Sequence, residues 1–130
     1  MIGQNVSQNL TQITLQPMAD ITSTTTGTGV NVQEYVGEAV FLVAAKNVAG
    51  TNPTLDVKLQ ESDDDSTYTD VSGGAFTQVT EAGTKAAKQY KLNINIDGAK
   101  KYVRTVATIG GTSSPQFLVY ATGLLLKKER

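Results

Sequence analysis

The stretch ESDDDSTYTD, from Glu61 to Asp70, holds the densest set of groups able to do chemistry. Glu61, Asp63, Asp64 and Asp65 could share a proton, hold a hard cation or act as the carboxylates of a glycosidase. Each option makes a demand on the sequence. An EF-hand calcium loop needs Gly at its sixth position and Glu at its twelfth. Counted from Asp63, those positions are Tyr68 and Gly74, so the sharp turn and the bidentate ligand are both missing. An irregular calcium site is the looser alternative. A glycosidase needs two carboxyl groups facing each other across a cleft, about 5–10 Å apart. Adjacent loop residues point apart, and no second acidic cluster of comparable density exists. Asp and Ser are well suited to accepting hydrogen bonds from turn N–H groups at a hairpin end. On that reading Asp63, Asp64 and Asp65 are rim charges for a basic neighbour, not a reactive centre.

The remaining composition withholds the usual catalytic partners. The chain has no His, no Cys and no Trp. His is the common general base near neutral pH and a frequent metal ligand. Without His or Cys there is no Ser-His or Cys-His nucleophile, no zinc site of the usual donors and no disulfide scaffold. The expectation is a protein that is not an enzyme and needs no cofactor or metal. A net charge of −1 provides no global field for nucleic acid or anionic membrane. The longest apolar run, Ala39–Ala45, is too short to span a bilayer as a helix. The N-terminus has no basic flank and no apolar h-region, so export through a standard signal is not expected.

Any such residues must be positioned by strands. With 130 residues, 39% of them hydrophobic, the chain fits one domain with one modest core. Apolar residues recur at every second position in LDVKLQE (Leu55–Glu61), YKLNINID (Tyr90–Asp97) and YVRTVATI (Tyr102–Ile109). That alternation marks half-buried antiparallel strands. EAVFLVAAKN (Glu38–Asn47) is more continuously apolar and reads as a central strand covered on both faces. QFLVYATGLLLKK (Gln116–Lys128) reads as a long final strand with a bulge or bend at Gly123. GVNVQEY (Gly29–Tyr35) is a shorter strand, and TQITLQ (Thr11–Gln16) a weak edge strand. Turn signals fall at AGTNP (Ala49–Pro53), SDDDST (Ser62–Thr67), SGG (Ser72–Gly74), DG (Asp97–Gly98) and GGTSSP (Gly110–Pro115), the last a hairpin loop. Glu81–Tyr90 carries at most a single helical turn. The sum is an all-β, antiparallel β-sandwich of about seven or eight strands, jelly-roll or immunoglobulin-like. Residues 1–28, rich in Gln, Asn, Ser and Thr, read as a polar N-terminal arm ahead of one β-sandwich domain, 29–130. Ile13 and Leu15 are the apolar residues such an arm could press onto a neighbour while adding a strand to its sheet.

Three further constellations carry less chemistry. Tyr68, Val71, Phe76 and Val79 lie among turn residues and read as anchors of a connection folded back over the sandwich, with Tyr68 also able to meet a partner. Lys100, Lys101 and Arg104, with Lys127, Lys128 and Arg130, form basic clusters. A nucleic-acid surface would add stacking aromatics, and only Tyr102 qualifies, so solvated strand ends or contacts to the acidic loop of an adjacent copy fit better. TIGGTSSP lacks the Lys and spacing of a phosphate loop.

The run PTLDVKLQESDDDSTYTDVSGGAFTQVT, followed by KLNINIDGAKKYVRTVATIGGTSSPQFLVYATG, resembles small structural proteins encoded among the head genes of tailed bacteriophages. The shared pattern is a strand into an acidic turn, an aromatic-Thr-Asp-Val element, Phe-Thr-Gln-Val, then KKYVR into a strand and a Gly-rich turn. It covers roughly Pro53 to Gly123; Tyr68 stands where the group often has Trp. The resemblance implies a capsid decoration (cement) protein: β-rich, frequently trimeric, placed on the outside of the virion shell, bridging neighbouring major capsid subunits, and assembled in the host cytoplasm. Its expected partners are the major capsid protein and two more copies of itself, with no nucleic acid or membrane. The candidate interface is Ile13, Leu15, Asp63, Asp64, Asp65, Tyr68, Lys100, Lys101 and Arg104. Competing readings are another virion part (neck, tail or head fibre) and a carbohydrate-binding module, the latter disfavoured by the absence of Trp.

Overall fold

Two strands of unusual length organise the chain. In the computed structural model, which describes residues 10–80 and 87–128, the elements are β1 (Leu10–Ile21), β2 (Thr25–Thr26), β3 (Val30–Asn31), β4 (Tyr35–Ser62), β5 (Thr69–Ala75), β6 (Lys88–Asn95) and β7 (Tyr102–Lys127). All pairings are antiparallel. β4 and β7 lie side by side from Tyr35↔Lys127 to Ser62↔Tyr102. Each spans what the periodicity divides into two strands.

The reason lies in where the turn signals fall. AGTNP in β4 stands opposite GGTSSP in β7, with Thr51 paired to Thr112 and Thr54 to Gly110. The register shifts here, and Gly50, Asn52, Gly111, Ser113 and Ser114 take positive φ. Both strands therefore bend together and keep their ladder, rather than ending in loops. The hairpin loop expected at Gly110–Pro115 is a corner inside β7. Buried Asn47 braces the corner by donating from Nδ2 to the carbonyls of Ala49 (2.8 Å) and Gln116 (3.1 Å).

The corner folds one hydrogen-bonded sheet into two layers. Layer one runs β1, the C-terminal half of β7, the N-terminal half of β4, then β6. Layer two runs β2 and β3, the N-terminal half of β7, the C-terminal half of β4, then β5. Odd-numbered residues of both long strands face inward: Phe41, Val43, Leu55, Val57 and Leu59 from β4, Val103, Ala107, Phe117 and Val119 from β7. They form one core with Ile13, Leu15, Phe76 and Val79. Burying a side chain of this size contributes about 1.5–3 kcal/mol. Among the described residues the fold is thus an all-β, antiparallel sandwich of seven strands, the class the alternation predicts.

Several expectations need correction. Ile13 and Leu15 do not sit on a free arm: they are 8% and 1% exposed in the chain's own core. β1 pairs with β7 from Leu10↔Leu126 to Ile21↔Phe117, because its alternating apolar residues match the inner face there. Gly29–Tyr35 is not one strand; only Val30–Asn31 pairs before a turn leads into β4. The Ser72–Gly74 signal lies within β5. Gly123 is neither bulge nor bend: its pairing with Phe41 and Ile13 is regular, and an added Cβ would press on the Phe41 ring at 3.0 Å. Glu38–Asn47 is covered on one face only, a point that matters below. Residues 1–9 of the expected arm, 81–86 of the helical-turn window and Arg130 lie outside the described residues.

Candidate interaction surface

The acidic loop joins β4 to β5 and is a capped hairpin end. Asp64 accepts hydrogen bonds at Oδ1 from the backbone N–H of Thr67 and Ser66, both at 2.9 Å, and from the Ser62 hydroxyl at 2.9 Å. These bonds favour the carboxylate and hold the Asp64 pKa below 3.8. Asp65, at φ 60°, accepts from the Tyr68 hydroxyl. Asp63 is exposed and points elsewhere, into the cleft described below. The three aspartates therefore have three separate jobs. Among the described residues no group of three His, Cys, Asp or Glu is placed to hold a metal ion.

Tyr68 is half-buried and acts as a latch across layer two. The Arg104 guanidinium stacks on its ring, 3.8 Å from the centroid. Its hydroxyl and the Asp65 carboxylate close over Gly29, where any Cβ would collide with both. Burial, then the hydrogen bond to Asp65, push the phenol up to about 12. Arg104 also donates from Nε (3.0 Å) and Nη2 (2.9 Å) to Gln60. Gln60 donates to Asp70 (3.0 Å), which also takes Lys58 at 3.1 Å. Hydrogen bonds from Gln60, then Lys58, lower the Asp70 pKa. Asp56 accepts from Gln78 at 3.0 and 3.1 Å. The outer face of layer two is thus largely polar and bonded to itself, with Val106 its apolar outward residue on β7.

Lys100 and Lys101 sit on the β6–β7 connection. With Tyr35, Asp63, Asp97 and Lys128 they line an open polar cleft of about 520 Å³ at the same end of the sandwich as the acidic loop. The Lys100 backbone N–H donates to Glu61 at 3.1 Å. The acidic loop and the lysines that the sequence suggests for a neighbour's copy therefore share one cleft within the chain.

The outer face of layer one differs. Val40, Leu42 and Ala44 of β4 stand opposite Leu124, Thr122 and Tyr120 of β7, and next in line Lys46 stands opposite Leu118 at the corner end of the face. All but exposed Leu124 (39%) and buried Thr122 are half-buried. Near the corner a shallow apolar hollow of about 90 Å³ lies between Met18, Ala44, Ala87, Leu118 and Tyr120, and Met18 is 65% exposed. Gln12 and Thr14 of β1 and Gln89, Lys91 and Asn93 of β6 form a polar rim. An apolar centre inside a polar rim is the anatomy of a protein interface. Residue reasoning missed this surface. Its signal was present in AVFLVAA and QFLVYATGLLL, whose outward positions are apolar too, but such runs also suit a strand covered on both faces.

No protein-family model and no curated protein sequence matches this chain. Solved structures do. The exported protein XepA of PBSX is similar at 13% identity and TM-score 0.55, over 92% of this chain and 38% of that one. A chain of the T13 viral particle of infectious bursal disease virus is similar at 11% identity and TM-score 0.60, over 91% and 31%. The SPBc2 prophage-derived protein YomS aligns over 92% and 94% at 13% identity and TM-score 0.48. This chain spans about a third of the first two. At these identities the likeness of XepA and the viral-particle chain establishes the fold alone.

Proposed function

We propose that this chain is a non-enzymatic structural protein of a virion. It docks on the outer surface of a phage capsid and bridges neighbouring major capsid subunits, with copies grouped about three-fold positions. The observation that carries the reading is the apolar outer face of layer one, from Leu124 and Val40 to Tyr120 and Leu118. Alternating strands normally turn polar residues outward, as layer two does. Apolar residues on the outward positions of β4 and β7 add nothing to the core, and they suit burial against another protein surface. Two sources of support stand beside it: the resemblance of Pro53–Gly123 to phage head proteins, and a fold shared with a viral-particle chain.

Bridging works by many modest contacts repeated over a shell, so each copy needs a docking face and a charged end for register more than a deep pocket. The apolar face provides the first. The end carrying Asp63, Lys100 and Lys101 provides the second. The test is to add purified protein to undecorated, expanded capsids from the same source and image them. The expected result is new density across the outside of the shell, centred on three-fold positions. Density confined to one vertex would reassign the chain to a neck, tail or fibre, and no added density would remove the reading.

A further inference from the structure

The sandwich has four edges, and three are spoiled for strand pairing. β1 carries Pro17 and two register shifts, β5 has a shift and paired glycines, and β2 and β3 are two residues each. Bulges, proline, short length and edge lysines are the usual devices that blunt an edge. β6 carries Lys88 and Lys91, but it has no bulge and no proline and runs for eight residues. It pairs with β4 in unbroken register from Glu38↔Asn95 to Ala45↔Lys88, and no described strand lies on its other side. The Ile96 N–H donates to the Gly37 carbonyl at 3.0 Å. Antiparallel bonding alternates, so Ile94, Leu92 and Tyr90 turn their backbone groups toward β4. Gln89, Lys91, Asn93 and Asn95 turn theirs outward.

We infer that β6 is a self-pairing edge, and that its occupant is β6 of a second copy, antiparallel about a two-fold axis at Leu92. The argument is register. With Leu92 opposite Leu92, Lys91 stands opposite the second copy's Asn93, and Gln89 opposite its Asn95. Every outward N–H and C=O of those residues then finds a partner. On the inner face Tyr90 meets Ile94, and all three half-buried apolar residues, Tyr90, Leu92 and Ile94, gain cover. Centring the pair on Lys91 instead would set Lys91 against Lys91, and like charges directly opposite are destabilising. Sliding to centre on Asn93 leaves Gln89 beyond the partner strand. The sequence of β6 therefore selects one register. This contact uses the edge of layer one, not its outer face, and links copies two at a time, across rather than around a three-fold group.

The register makes a charge test possible. Asn93→Glu would place Glu opposite Lys91 twice per pair, and Asn93→Lys would place Lys there twice. Both side chains are exposed on the outer face, so the fold should tolerate either; unchanged thermal midpoints check this. Sedimentation of the full chain across a concentration series should give a reversible dimer. Asn93→Glu should tighten it about two- to thirty-fold, from two cross-strand ion pairs, and high salt should erase that gain. Asn93→Lys should weaken it comparably, and Lys91→Glu combined with Asn93→Lys should restore it. A chain that stays monomeric throughout, or a trimer whose mass is indifferent to all of these variants, would overturn the inference.

Discussion

The two outer faces of this sandwich come from the same two strands. In layer two, β4 and β7 turn outward Asp56, Lys58, Gln60, Arg104, Thr108 and one apolar residue, Val106. Asp56, Lys58, Gln60 and Arg104 bond to one another or to Asp70, Gln78 and Tyr68. In layer one, past the corner, the same strands turn outward Val40, Leu42, Ala44, Leu118, Tyr120 and Leu124, with Lys46 and Thr122 the polar residues among them. A face whose polar groups satisfy each other is finished in the monomer. A face of half-covered apolar groups has free energy left to release, at roughly 25 cal/mol per Å² of apolar surface removed from water. Layer two therefore reads as structure and layer one as recognition.

The largest effect should come from a change beneath both faces. Leu15 is 1% exposed, and its backbone lies against Gly27 of layer two. Leu15→Ala should cost about 2–5 kcal/mol of unfolding free energy, read by urea denaturation. A cost near zero would return residues 10–21 to the status of an arm. Next is Arg104→Ala, which removes two hydrogen bonds and a stacked cation. It should cost about 1–3 kcal/mol and leave shell binding unchanged; loss of binding with intact stability would move recognition to layer two.

Tyr68→Phe should cost less, about 0.5–1.5 kcal/mol, and it has a pH signature. The folded phenol holds its proton up to about 12 against an ordinary 10.0. Its stabilisation is thus complete below pH 10 and is lost as pH rises from 10 through 12. Ultraviolet titration should show a late-titrating phenol in the wild type that is lost in Tyr68→Phe. The smallest effect is Asp64→Asn. The Asp64 pKa is depressed below 3.8, so its contribution is present above that pH and fades as pH falls further. The gap in melting temperature between wild type and variant should close in acid.

How much of this was legible depends on what each signal encodes. Alternation at Leu55, Val57 and Leu59 reports a strand with one wet face, and the structure agrees. The acidic run failed its metal spacing and proved to be a cap, because Asp64 is where three turn donors converge. AGTNP signals a turn and GGTSSP a hairpin loop because turn residues report curvature, not whether a ladder continues through it. Their opposition across β4 and β7 is a tertiary fact. Asp63, Lys100 and Lys101 share a cleft only because two connections meet at one end, and sequence distance hides that. Ile13 and Leu15 read from sequence as partner contacts because their neighbours are polar, while the β7 face that receives them lies more than a hundred residues away.

The central claim is the asymmetry of the two faces, and a matched pair of variants tests it most directly. Leu42→Asp and Thr108→Asp each place one carboxylate on an outward position of a long strand, in layer one and layer two respectively. Their cosedimentation with undecorated, expanded capsids is measured beside the wild type. Leu42→Asp should lose affinity by about 30-fold or more, the scale of a truncated interface anchor, while Thr108→Asp binds as the wild type does. Equal binding by both variants, or loss by Thr108→Asp alone, would contradict the account.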